Sequence, residues 1–512
     1  MRAENMQFES RRVEIQGLDL FSMRRMTRLT WLSLAAFALV IPFGFWSLLS
    51  LVEGNVSSLI PFASAAAWFV VLGITYCGLH GVRNMAWTST PVLLTFQALA
   101  GFVFIPLLGF ARGDEMLDSS YLHAMVLVLI GFVPFWIGSL SLTREAGIRY
   151  IPKTHLTSPR IAFICVAMLA FGVLGNLLLW RFGLFSYTAD EGSRTSSTGV
   201  LRWLETLADM LGYSLVGSAI EVLGKRTSSK LMRLVFWLSI FLSVIFGVLS
   251  GTKSGPLRPL VYLVLIYAIT RRRFPRAAFL LPFVLVLFIY PFVNAFRNNL
   301  NSGYRAQFDS VEGLEQTVSQ SFDDAFLSFG ASSSSSRQQN ISQTTSRLSY
   351  LSYVRDVTSL PVPSMLSGDE KLWMAPFYPL VPRFLWKNKP VLDKGRRLSI
   401  LLGRGGFTSS ALTPIGDLGA MYGPYGLALG MLFWGVCLQL YMNWIGGRNP
   451  TERSLFTYLL LLQNLLNFED SYFSLIAGAV QQLMLISFIA LLIYGRLDKA
   501  GHGNLALTHN YS

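Results

Sequence analysis

Long apolar runs recur along the chain, separated by short polar connections. Runs long enough to cross a bilayer lie at about 29–51, 59–79, 91–111, 121–142, 161–180, 201–223, 234–250, 257–270, 277–296, 423–444, 454–468 and 473–494. About twenty consecutive apolar residues span the hydrocarbon core. An apolar run in lipid must satisfy its own backbone, which makes each run a helix. The pattern therefore predicts an all-α polytopic integral membrane protein with about 12 transmembrane helices. The runs 257–270 and 454–468 are short, and the latter contains Gln463, Asn464 and Asn467. For that one, a re-entrant segment stays open as the alternative.

Composition agrees with the pattern, and charge adds an orientation. Of the 512 residues 52% are hydrophobic and 14% charged, against about 25% charged in a soluble domain, yet the net charge is +14. Basic residues fall in alternate connections: Arg24, Arg25 and Arg28 in the N-terminal arm, Arg83, then Arg144 to Arg160, Lys225 to Arg233, Arg271 to Arg276, Arg448 and Arg453, and Arg496 in the tail. Lysine and arginine mark the cytoplasmic side, which places both termini there. The expected organisation is an arm (1–28), nine helices (29–296), a large external loop (297–422), three helices (423–494) and a tail (495–512). Cys77, Cys165 and Cys437 lie in apolar runs and read as small buried hydrophobes rather than disulfide or zinc partners. The first run, from Leu29 to Leu51, is too long for a cleavable signal and reads as an anchor.

The external loop departs from simple anchoring. It contains a serine run, Ser332 to Ser336, and an amphipathic stretch with Val311, Leu314, Val318, Phe322, Phe326 and Phe329 at helical spacing; a second short helix is expected from Leu348 to Val354. Thirteen of the 42 basic residues lie between Arg297 and Arg404, among them Arg305, Arg347 and Arg355. The densest tract, 373–404, holds Arg383, Lys387, Lys389, Lys394, Arg396, Arg397 and Arg404 against Asp393, with Trp373, Phe377, Tyr378, Phe384 and Trp386 interleaved. Guanidinium groups bind phosphate bidentately and lysine acts as a point charge, while aromatic rings stack on sugars or settle at an interface. This combination fits a ligand with an anionic head, an apolar tail and a carbohydrate. The plain alternative is snorkelling toward anionic headgroups.

Three other places could carry chemistry. The turn Gly251 to Arg258 puts Lys253 and Arg258 beside backbone N–H groups that glycine leaves accessible, although a tight interhelical turn has the same composition. Glu205 and Asp209 lie one helical turn apart in the sixth run, both candidate general bases. Glu221, at the opposite end, stands four residues before Lys225 and fits an i,i+4 pair. Asp417, in Gly416 to Gly426 with Tyr422 and Tyr425, is a third candidate base, or else a helix cap or the partner of an arginine. No histidine lies in the external loop, and the chain has no P-loop, dinucleotide fingerprint or HExxH motif. Energy for a reaction would then come from an activated substrate.

The order of these features resembles the bacterial Wzy-type polysaccharide polymerases, also called O-antigen or oligosaccharide repeat-unit polymerases. Pro382, Arg383, Trp386, Lys389 and Pro390 match one of the family's tracts. Gly416, Tyr425 and Gly426 sit in a second, where Asp417 stands in place of a common glutamate. Arg347 with Pro361, Pro363 and Gly368 is similar to the preceding stretch, and Lys253 with Arg258 to a basic turn. The resemblance implies a GT-C-like glycosyltransferase of the bacterial inner membrane with a periplasmic active site. Donor and acceptor would be undecaprenyl-pyrophosphate-linked oligosaccharides. Arg383, Lys387, Lys389, Arg396, Arg397, Arg404, Arg347, Arg355, Arg297, Arg305, Lys253 and Arg258 would hold pyrophosphate and glycan. Trp386, Trp373, Tyr422 and Tyr425 would stack on sugars, and Asp417, Glu205 or Asp209 would act as base. The cations could do the work of a metal, so no cofactor is expected, nor any nucleic-acid partner. Membrane lipids, a chain-length regulator and a flippase of the same pathway are the implied partners. An O-antigen ligase shares the topology, but its external loop usually carries a functional histidine. A flippase or transporter fits the span number, but it needs no large loop.

Overall fold

The computed structural model describes residues 59–81, 89–112, 118–143, 159–182, 184–185, 198–224, 229–251, 255–271, 290–301, 311–330, 349–360, 366, 371, 374–378, 380–381, 385–386, 394–403, 410–445 and 451–494. Helices make up nearly all of it, and strands are absent among these residues. In chain order they are α1 (Leu59–Gly81), α2 (Thr90–Leu99), α3 (Ile105–Arg112), α4 (Ser119–Ser141), α5 (Pro159–Arg181), α6 (Thr198–Gly224), α7 (Lys230–Leu249) and α8 (Leu257–Arg271). Then follow α9 (Tyr290–Asn301), α10 (Val311–Gly330), α11 (Tyr350–Thr358), α12 (Lys394–Leu401), α13 (Pro414–Ile445), α14 (Glu452–Leu465) and α15 (Tyr472–Tyr494).

Among the described residues, eight helical segments are long and apolar enough to cross a membrane. They are α1, the continuous α2–α3 unit, α4, α5, α6, α7, α13 and α15. Their outward faces carry large apolar side chains such as Phe163, Trp237, Phe241 and Phe488, all more than half exposed, as expected of surfaces that meet lipid. The fold is thus an all-α polytopic membrane architecture. The expected runs at 257–270 and 454–468 form the shorter helices α8 and α14, of 15 and 14 residues. The run 29–51 and most of 277–296 lie outside the described residues, as does the serine run. The two helices expected in the loop are present as α10 and α11.

Caps follow the sequence. The Asp118 carboxylate accepts from the Ser120 and Tyr121 amides ahead of α4, and Ser229, Ser349 and Thr451 cap α7, α11 and α14 in the same way. Packing then relies on small residues. A Cβ on Gly138 would lie 2.4 Å from the Leu432 carbonyl oxygen, and one on Gly435 2.2 Å from that of Phe135. Only glycine at both positions lets α4 and α13 cross with their backbones in contact. A ring cluster of Phe69, Phe102, Phe132, Trp136 and Phe468 fills the adjoining core.

Two irregularities shape the bundle. Between α2 and α3 lies a π-helical turn, Ala100–Phe104. The Tyr350 ring from α11 fills the space where a side chain on Gly101 would be, and its hydroxyl accepts from the Gln97 amide at 2.7 Å. The second is in α13, where Gly423 has φ 64° and ψ −169° and precedes Pro424. Leu418 touches Gly430, although twelve positions along a straight helix would separate them by about 18 Å. The chain therefore folds back at Gly423. A short helix containing the Gly416-Asp417 motif lies against a separate spanning helix, 424–445. Sequence placed that motif in the external loop; its helical form follows from the Thr413 hydroxyl, which caps it by accepting from the Gly416 amide.

Candidate functional site

A cavity of about 360 Å³ opens between α5, α6, α7, α8, α14 and α15. Its position follows from glycine contacts. Cβ atoms on Gly172 and Gly175 of α5 would meet Leu211 and Ala208 backbone nitrogens at 2.3 and 2.5 Å. Asn176 donates to the Gly172 carbonyl at 2.8 Å and more weakly to that of Ala208 at 3.4 Å. This close crossing fixes the rotation of α6, so that Glu205, Asp209, Gly212 and Tyr213 line the cavity. On the facing wall, Gly247 presses against Gly255. The contact closes the α7–α8 connection and brings Ser243, Ser250, Arg258 and Tyr262 to the same space. Leu179, Leu184, Phe185 and Phe246 supply apolar surface.

The polar groups converge from separate helices. Glu205, Asp209 and Arg258 keep exposed side chains and all line the cavity, where Asp209 and Arg258 attract one another electrostatically. Gln463, at the end of α14, organises the opposite side. With its amide oxygen toward the guanidinium, it accepts from Arg258 Nη1 at 2.9 Å and Nη2 at 3.1 Å and donates to the Tyr262 hydroxyl at 2.7 Å. The arrangement presents acids and a cation to one half-open volume, within the 300–1,000 Å³ typical of small-molecule sites. Arg297 on α9 donates to the Gly251 carbonyl, so this cation braces the α7–α8 turn.

The remaining candidates lie elsewhere. Asp417 is fully buried and pairs with Lys394 Nζ at 2.8 Å, with side-chain exposures of 0% and 1%. Its other oxygen accepts from the Tyr472 amide at 3.0 Å, and the ammonium lies 3.7 Å from the Phe473 ring centre. This geometry joins α12, α13 and α15 and holds the carboxylate away from the cavity lining. Arg355 donates to the Tyr121 hydroxyl at 2.5 Å and pairs with Asp356 at 3.0 Å, which ties α11 to α4. Arg396 and Arg397 are half-buried on α12, and half-buried Trp386 packs on Tyr378 with ring centres 5.6 Å apart. Tyr422 and Tyr425 flank the Gly423 break, and Tyr425 is 85% exposed. Lys253, Arg305, Arg347, Trp373, Arg383, Lys387, Lys389 and Arg404 lie outside the described residues.

The connection between α14 and α15 carries a pH signature. Burial, with the Glu469 charge behind it, pushes the Asp470 carboxyl up to about 6 from its ordinary 3.8, against the opposing Asn467 hydrogen bond. Because the folded-state value is raised, the contribution is favourable while Asp470 is protonated and is lost as pH rises from about 4 through about 6. Asp470→Asn should therefore melt at a higher temperature than the parent at pH 7.5, and the two should coincide near pH 4. Thermal unfolding across that range measures it, and a constant offset at all pH values would refute the assignment.

Sequence reasoning missed Tyr213, Tyr262 and Gln463 as parts of the site, and Lys394 as the partner of Asp417. Gln463 had a visible signal, a polar residue in an apolar run too short to span. Compared with known protein families, curated proteins and solved structures, the chain gave no match.

Proposed function

We propose that the protein is a membrane glycosyltransferase that polymerises oligosaccharide repeat units carried on undecaprenyl pyrophosphate at the periplasmic face of a bacterial inner membrane. The observation that carries this reading is the meeting of Glu205, Asp209 and Arg258 around one cavity in a membrane-embedded helical bundle. The acceptor hydroxyl oxygen forms a bond to the anomeric carbon of the donor. The bond from that carbon to the carrier's pyrophosphate oxygen breaks, and undecaprenyl pyrophosphate departs. Asp209 takes the hydroxyl proton, and Glu205, one turn away, orients the acceptor sugar. Arg258, held by Gln463, stabilises the charge that develops on the leaving pyrophosphate. The external basic tract, with Arg383, Lys387, Lys389, Arg396, Arg397 and Arg404, gathers the rest of the donor.

The test is genetic. Surface glycans of a deletion strain should run on a gel as core capped by single repeat units, and Arg258→Ala at normal protein level should reproduce that pattern. Loss of all capped core would instead indicate a ligase or a flippase. Wild-type chain lengths in Arg258→Ala would remove the arginine from the mechanism.

A further inference from the structure

The bundle holds α15 along one side. In its first turn the Tyr472 amide donates to Asp417 at 3.0 Å, and the Tyr472 hydroxyl donates to the Gly430 carbonyl at 2.8 Å. Further along, Gly478 lies against the Asn464 carboxamide of α14. Near the other end the Leu492 carbonyl accepts from Arg160 of α5 at 2.8 Å. Ile486, Ile489, Ala490 and Ile493 are buried on this side. These contacts fix the rotation of α15 and therefore the side that faces away from the bundle.

Gln481, Met484, Phe488 and Leu491 lie on that outward side, all exposed. Their spacing of three, four and three residues is that of the a and d positions in a left-handed coiled coil. Three of the four are apolar and suit lipid. Gln481 does not. It lies about 14 Å from the first residue of α15 and about 20 Å from the last, well inside a hydrocarbon core of about 30 Å. The cavity lining includes the neighbouring Gln482 but not Gln481, and the Gln481 carboxamide has no hydrogen-bond partner among the described residues. Hydrocarbon offers it none, and an unpaired amide there is costly.

A carboxamide both donates and accepts, so a second carboxamide at the same depth satisfies it. Two copies of one chain inserted the same way are related by a two-fold axis along the membrane normal. Their α15 helices run parallel, and each seam position meets its own counterpart. We propose that the protein self-associates through the outward face of α15, with the two Gln481 side chains hydrogen-bonded to each other across the axis. Met484, Phe488 and Leu491 pack along the seam and supply contact. The lone amide sets the register, as a single polar a position does in a soluble coiled coil.

The experiment uses the full chain in liposomes, with the photo-crosslinker p-benzoylphenylalanine in place of Met484. Illumination should give a covalent product of twice the chain mass. The same reporter in place of Trp237 on α7, 65% exposed, should not. Equal yields at the two positions would overturn the proposal. Adducts only with lipid, or only with another segment of the same chain such as 29–51, would overturn it too. Energy transfer between donor- and acceptor-labelled copies, diluted with lipid, then measures the association constant. Gln481→Leu leaves an apolar side chain on a lipid-facing surface and keeps the fold intact. It should weaken association about 3- to 30-fold, the range for an interhelical side-chain hydrogen bond in a membrane. An unchanged constant would overturn the role of the amide. No glycan enters either measurement, so failure of the glycosyltransferase reading leaves the outcome intact.

Discussion

Asp209→Asn is expected to reduce chain extension by about 10²- to 10⁴-fold, the usual contribution of a positioned general base, while the protein stays at its normal level. Asparagine keeps the shape of aspartate and its place on α6. It removes the charge that faces Arg258 across the cavity and the group that accepts the hydroxyl proton. Glu205→Gln should weaken acceptor binding more than turnover, because that side chain is assigned to orientation. Extension of a lipid-linked repeat unit by the purified enzyme, with KM and kcat separated, distinguishes the two. A wild-type kcat in Asp209→Asn would end its assignment as base.

The second large effect concerns stability. Lys394→Met should lower stability by about 3–5 kcal/mol, the range for removing one partner of a buried ion pair. The Asp417 carboxylate would stay fully buried after losing its countercharge. Removing both charges in Lys394→Met/Asp417→Leu should recover most of that loss, since an apolar pair of similar volume avoids the desolvation cost. Thermal unfolding of the detergent-solubilised protein provides the measurement. A single variant as stable as the parent would show that the pair has no structural weight, and a double variant no better than the single would show that charge is not the reason.

The sequence carried the helical membrane architecture well because an apolar run twenty residues long has few other fates. It carried the chemistry less evenly. Glu205, Asp209 and Arg258 stood out as charges at the edges of apolar runs, and folding brings them to one cavity. What made them a site was illegible in one dimension: Gly172 and Gly175 set the rotation of α6, and Gln463 arrives from a helix some 200 positions later. Asp417 shows the opposite case. A lone acid beside a dense basic tract fits a catalytic role, a helix cap or an arginine partner, and only the three-dimensional placement of Lys394 at 2.8 Å identifies the actual partner. Tyr425 has a similar ambiguity. It and Trp444, 63% exposed at the other end of the same helix, are separated by about 28 Å, close to the thickness of a hydrocarbon core. That spacing suits a pair of interfacial anchors as well as it suits stacking on a sugar.

The socket for Tyr350 has a consequence for biogenesis. The ring that fills the space over Gly101 belongs to a residue made 253 positions after Gln97, to which it is hydrogen-bonded. At about 5–20 residues per second, translation takes about 13–50 s to deliver it. During that interval the α2–α3 helix is already threaded through the bilayer with its widened turn unfilled. Docking of α11 must then wait until the intervening chain has been inserted or translocated. The tyrosine arrives as a late bolt, and its seating would report that one side of the bundle has been assembled in the right order.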